Sequence, residues 1–367
     1  MTLSERRHDI DWLRVIAIGL LIIYHVAIGF QPWGVFIGFI QNGESNQSIW
    51  IPMSMLNVWR IPLLFFVSGM GVCFALKRRS PKALIGERFK RIIIPFLFGT
   101  TAIVPLHVLL WQEYYNQNLH YVWHPYHLWF LGNIFIYVIV LLPLFFYLKK
   151  QIGKAIHRSI SKVFAHPFVL LLVMVPFILE AQLVNPGNFE TYAMTWHGFV
   201  LGLLAFFFGF LFVYSGEGFW SLIVRWRYVL LVLAFGLYLF RYFEFGLRAP
   251  NFLMAIESCL WIYTVMGFGR KHFNKPSNSL SYLSQAAYPV YILHMFFLYL
   301  AALLVFPLEI HVMLKFVISI LFTGAGCMVT YEYLIRRFNL LRVLFGLKKK
   351  EKLLGKSQSL NPDTSMA

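Results

Sequence analysis

The sequence predicts an all-α, polytopic membrane protein of about ten transmembrane helices, and three observations carry that reading. Of its 367 residues, 59% are hydrophobic and 13% charged, whereas a soluble domain carries about 25% charged residues. The apolar runs last about 18 to 25 residues, long enough to cross a bilayer as helices. They lack the alternation of a barrel, the only other structure whose backbone is satisfied in lipid. Third, the basic residues collect in alternate loops, and this asymmetry sets orientation with both termini in the cytoplasm.

The runs, in order, are Trp12–Phe30, Ile51–Leu76, Ile92–Trp111, Leu128–Leu148, Phe168–Val184, His197–Tyr214, Tyr228–Phe245, Pro250–Phe268, Ala287–Phe306 and Val312–Ile335. The first lacks a small-residue cleavage pattern and is too long for a signal peptide, so it reads as a mature helix. Two arginines, Arg6 and Arg7, precede it. The next loop on the same side, "KRRSPKALIGERFKR", carries seven basic residues and "KKQIGKAIHRSISK" five. Arg225 and Arg227 add two, "RKHFNK" three and the stretch Arg336 to Lys356 eight, which places 27 of the 32 Lys and Arg on one side. The opposite loops show essentially Arg248 alone. The net charge of +17 is therefore a topology signal, and no nucleic-acid partner is expected. Residues 1–345 form one transmembrane domain; 346–367 read as a basic, disordered cytoplasmic tail that would at most touch anionic lipid.

Against this apolar background the polar residues stand out. Arg14 and His25 are eleven positions apart, about three turns, so they share one stripe of the first helix roughly 16 Å apart along its axis. The plain alternative is a snorkelling arginine and a satisfied structural histidine. Arg60, in "NVWRIPLLFFVSG", lies about 15 Å below the outer surface. A charge at that depth costs at least about 2.5 kcal/mol and normally faces an internal cavity; an ion pair with Glu257 is the structural alternative. Arg241, Glu244 and Arg248 have spacings that favour local pairing, as do Glu332 and Arg336. Arg88 and Arg91 lie on one face just before the third span, and guanidinium forks suit phosphate. At the outer ends stand His120, His124 and His127, then Trp129, Glu180, Glu190 and His197. His294 lies in the inner half of its span. The histidine spacing does not suggest a metal site. Cys73, Cys259 and Cys327 lie inside spans and read as packing residues without a disulfide framework.

Together these stretches resemble the acyltransferase-3 family of integral membrane acyltransferases. The likeness runs from Asp9 to about Phe345. It comprises Arg14-x10-His25, the run from Arg60 to Gly69, Arg88-x-x-Arg91, "HLWFL" at His127–Leu131, "YPVYILH" ending at His294, and Tyr331–Glu332. The stretch "YEYLIRRFNLLRVLFG", with no appended esterase-like domain, looks most like the branch that succinylates periplasmic glucans.

The resemblance implies a bacterial inner-membrane enzyme in which Arg14 and His25 are essential. It implies transfer from cytoplasmic acyl-CoA, as co-substrate rather than tightly bound cofactor, to a hydroxyl of an extracytoplasmic carbohydrate. A neutral imidazole near pH 7 suits removal of a hydroxyl proton, so His25 is the expected general base, with an acyl-His25 intermediate the less favoured route. Arg60 is expected to stabilise the thioester oxygen or hold a succinyl carboxylate. Arg14, Arg88 and Arg91 are expected at the CoA phosphates, and His127, Trp129, Glu257 and His294 along the acceptor. Two other functions fit some of these residues: a transporter or flippase for an anionic or lipid-linked sugar, with His25, Arg60 and Glu257 along its path, and an N-acetyltransferase of an amino sugar. The oligomeric state has no signature in the sequence.

Overall fold

The computed structural model describes residues 7–77 and 79–350, and these are helical with connecting loops. The order is α1 (His8–Ile28), α2 (Trp50–Leu76), α3 (Pro81–Arg88), α4 (Ile94–Phe98), α5 (Val104–Tyr114), α6 (Trp129–Lys150), α7 (Ala155–Ala165), α8 (Val169–Val184), α9 (Trp196–Tyr214), α10 (Glu217–Phe245), α11 (Asn251–His272), α12 (Asn278–Val305), α13 (Val312–Thr330) and α14 (Asn339–Leu344). Among the described residues nine helices are long and apolar enough to cross a membrane, or ten if the bent pair α7–α8 is one span. Residues 351–367, most of the expected tail, lie outside the described residues.

Local chemistry explains the boundaries. Asp9 and Asp11 sit in the first turn of α1, where carboxylates favour the helix dipole. Asp9 takes both arms of Arg7 at 2.8 and 2.6 Å, and the Arg7 guanidinium lies 3.9 Å over the Trp220 ring. The start of α1 is thereby tied to α10. The Ser80 hydroxyl accepts from Ala83 N–H at 3.3 Å, with Pro81 opening α3, a standard start for a helix. The third span, Pro81–Tyr114, passes through two π-helical turns, Phe89–Ile93 and Gly99–Ile103. Arg91 lies in the first of these turns and Arg88 immediately precedes it.

Two sequence expectations need correction. The helices outrun the apolar runs: Arg225, Arg227, Arg270 and Lys271, read as loop residues, belong to α10 and α11. Long basic side chains reach water from a helix end, so hydropathy falls before the helix stops. "KKQIGKAIHRSISK" is not a plain loop either; its second half forms α7, which meets α8 at 93°. Ile156, Ile160 and Phe164 recur at helical spacing there, opposite basic residues.

α1 packs against α2, α11, α12 and α13. α2 and α9 approach most closely: a Cβ on Gly69 would lie 1.9 Å from the Phe206 carbonyl oxygen, and one on Gly209 2.1 Å from that of Phe66. Small residues at both crossings let the two backbones touch, as expected where lipid gives helices no hydrophobic drive to associate. His8 N–H donates to Asn274 Oδ1 at 3.1 Å, closing the bundle at its basic end. At the opposite end Gln31 donates to the Asn46 carbonyl at 3.1 Å and Gln41 N–H to the Tyr115 hydroxyl at 3.0 Å. This lattice fixes the depth at which each polar side chain of α1 and α2 lies.

Candidate active site

His25 points into the bundle and remains partly accessible. Its Nδ1 lies 2.9 Å from Nε2 of His294, which is fully buried on α12. The ring planes differ by 12° and the centroids are 5.1 Å apart. Two imidazoles joined edge to edge through a 2.9 Å contact have that separation, so the contact is in-plane hydrogen bonding rather than face stacking. His294 Nδ1 in turn lies 2.7 Å from the Tyr291 carbonyl. His127 stands edge-on to His294 at 5.0 Å, its Nε2 3.3 Å from the Ile292 carbonyl. His107, on α5, packs 5.7 Å from His127 with neither ring nitrogen partnered. Four imidazoles from four segments thus form a contiguous group, with His107 and His294 fully buried and His25 and His127 partly so.

Beside it lies Arg60. Arg60 is 2% exposed, and its guanidinium stacks 3.7 Å over Tyr24, the residue before His25. Cation–π attraction is worth about 2 kcal/mol or more when desolvated, less than burying the charge costs. Nε and Nη1 of Arg60 are buried with no hydrogen-bond partner. Among the described residues no carboxylate lies within ion-pair distance of it.

The expected alternative, an Arg60–Glu257 pair, is not what forms. Glu257 is held by Arg241, with Nε to Oε2 at 2.7 Å and Nη2 to Oε1 at 3.0 Å. Arg241 also donates to the carbonyls of Leu247 and Ser54 at 3.0 and 3.1 Å, and Glu190 approaches it to 3.9 Å. The local pairing expected for Arg241 within α10 therefore yields to a longer-range one, because α11 presents Glu257 to a fully buried guanidinium. Burial pushes the Glu190 carboxyl up to about 7, against the pull of Arg241. Glu180 and His197 form a second buried pair at 2.9 Å.

At the basic end, Arg14 lies 3.3 Å from Asp11, and its Nη2 lies beside Gly71 of α2. Arg88 donates to the Gly71 carbonyl at 3.3 Å. Arg79 and Arg91 both reach Glu87, at 3.1 and 3.5 Å. Four guanidiniums and two carboxylates, Asp11 and Glu87, therefore gather where α1, α2 and α3 meet. Between Arg14 and His25, Ile18, Leu21 and Ile22 are buried on the shared stripe. Trp129 packs 6.0 Å from Phe65 and is buried. Glu332 pairs with Arg336 at 2.8 Å and accepts from the Tyr282 hydroxyl at 3.0 Å.

Sequence reasoning thus named three of the four histidines, but not as one group, and it missed His107, Tyr24, Arg79 and Glu87. A lone histidine within "TTAIVPLHVLL" was itself a signal, since ionisable residues inside a span are rare and functional. Tyr24 and Glu87 carried none beyond adjacency to His25 and Arg88.

The family model described as an acyltransferase domain, acyltransferase-3, matches residues 7–332, a region that includes all of the residues above except Arg336. No curated protein and no solved structure gives a match.

Proposed function

The chain belongs to the acyltransferase-3 family, and on that premise we propose that this membrane acyltransferase moves an acyl group from acyl-CoA to a carbohydrate hydroxyl, with His25 as general base. The observation that carries this reading is the partly accessible His25 ring, 2.9 Å from His294 and next in sequence to Tyr24, over which the Arg60 guanidinium lies with two nitrogens unpartnered. A base must be neutral and reach the hydroxyl; a cation beside it must be free to meet developing negative charge.

In the proposed reaction the acceptor oxygen bonds to the thioester carbonyl carbon as its proton passes to His25. Negative charge gathers on the carbonyl oxygen within reach of the Arg60 fork. Collapse breaks the carbon–sulfur bond, and the departing thiolate takes the proton from His25, which returns to its starting state. If the acyl group is succinyl, its carboxylate is the alternative occupant of Arg60. Arg14, Arg79, Arg88 and Arg91 hold the phosphates of CoA, with Glu87 spacing two of the forks while the site is empty. Bidentate guanidinium–phosphate contacts favour such a cluster over lysines. The pantetheine arm runs from the arginine cluster toward His25. His127 and Trp129 stand on the acceptor's side. Basic clustering at the Arg14 end supports a cytoplasmic placement of the donor in a bacterial inner membrane.

Purified protein should release free CoA from acyl-CoA only in the presence of a glycan acceptor, and the acceptor should gain the acyl mass. Movement of a glycan or anion across liposomes without consumption of acyl-CoA would reverse the assignment in favour of transport.

A further inference from the structure

His294 has a carbonyl on one side and the candidate base on the other, and that asymmetry has a chemical consequence. A carbonyl oxygen only accepts hydrogen bonds, so the 2.7 Å contact between His294 Nδ1 and the Tyr291 carbonyl requires a proton on Nδ1. A neutral imidazole carries one ring proton, so His294 Nε2 is then bare and can only accept. The 2.9 Å contact with His25 must therefore be donated by His25 Nδ1. That proton leaves His25 Nε2 as the unprotonated nitrogen.

We propose that His294 is a positioning residue that locks His25 into the Nδ1–H tautomer, through the Tyr291 carbonyl, so that Nε2 is the base. The inference rests on the reading of His25 as general base. The near-coplanar rings, 12° apart, hold the imidazole's direction as well as its tautomer, because in-plane bonding resists rotation about the side-chain torsion. Neighbouring groups reinforce the arrangement. Phe39 stands 5.5 Å from the His25 ring, and His127 stands edge-on to His294. His294 is fully buried, so water does not compete for its Nε2. In the catalytic cycle His25 gains a second proton at Nε2 and the resulting imidazolium still donates from Nδ1 to His294. The orienting bond is therefore kept, and strengthened by charge, while the proton is in transit. A third group that orients a base is the logic of hydrolase triads, here supplied by a neutral ring instead of a carboxylate.

The test compares His294→Phe, which fills the space but cannot accept, with His294→Gln, whose amide oxygen can accept at the position of Nε2. The expected result is a fall in kcat of about a hundredfold or more for the Phe variant, with KM for acyl-CoA unchanged. The Gln variant should recover at least tenfold of that loss. Wild-type kcat in His294→Phe, with His25→Ala inactive, would overturn the lock and leave His25 as base. Full turnover in His25→Ala would overturn both. Nitrogen-15 spectra of histidine-labelled wild-type protein, with His25 assigned by the signal lost in a His25→Gln variant, read the tautomer directly in the unmodified site. An unprotonated Nε2 and a protonated Nδ1 at His25 support the lock; the opposite tautomer overturns it.

Discussion

Two arginines lie buried in the same bundle, and their surroundings differ in every respect that matters. Arg241 is saturated: Glu257 takes it bidentately, two carbonyls accept from it and Glu190 stands near. Arg60 has the face of Tyr24 and two enclosed nitrogens without a partner. A buried cation whose bonds are complete holds helices together; one whose bonds are incomplete costs stability and is kept for what it will bind. The contrast separates scaffold from site within one layer of the protein.

The largest effect expected from this contrast falls on stability. Arg241→Ala strands the buried Glu257 carboxylate and should cost about 3–5 kcal/mol, read as a loss of folded protein in detergent thermal melts. The paired replacement Arg241→Met with Glu257→Leu should restore most of that stability, since removing both charges leaves none unpaired. Arg60→Met should do the reverse, leaving the melting temperature unchanged or higher while lowering turnover about 100- to 1000-fold. Arg60→Lys should also be impaired, because a point charge cannot copy the fork. Equal melting losses in Arg60→Met and Arg241→Ala would erase the distinction.

Smaller effects are expected at the two ends. Arg88→Ala with Arg91→Ala should weaken binding of acyl-CoA by about tenfold or more, since hydrogen bonds to charged groups are worth about 1.5–3 kcal/mol each; calorimetric titration gives the dissociation constant. The smallest effect concerns pH. The Glu190 carboxyl is raised in the folded protein to about 7, so the unfolded chain ionises first as pH rises. The folded state then binds the extra proton, and Glu190's contribution to stability is full in acid. It declines from the ordinary carboxyl range up to about pH 7. In Glu190→Gln this part of the slope of melting temperature against pH should disappear.

How much of this was legible in the sequence depends on the range of the interaction. The helical class and the spans followed from run length, and Arg14 and His25 followed from spacing along one helix. Glu332 with Arg336 formed as spacing along one segment suggested. Pairings between distant segments were not legible. Glu257 met Arg241 and not Arg60, and His25 met His294 across 269 positions, because helix rotation about its axis decides such contacts and one sequence does not specify it. α7 was hidden by its basic residues, which read as topology before they read as an amphipathic helix.

The most direct measurement is mass spectrometry of surface and periplasmic glycans from cells producing wild-type protein or His25→Ala at equal membrane levels. A glycan should carry an acyl mass increment with the wild-type protein and lack it with the variant. The same increment in both, at similar abundance, would contradict it.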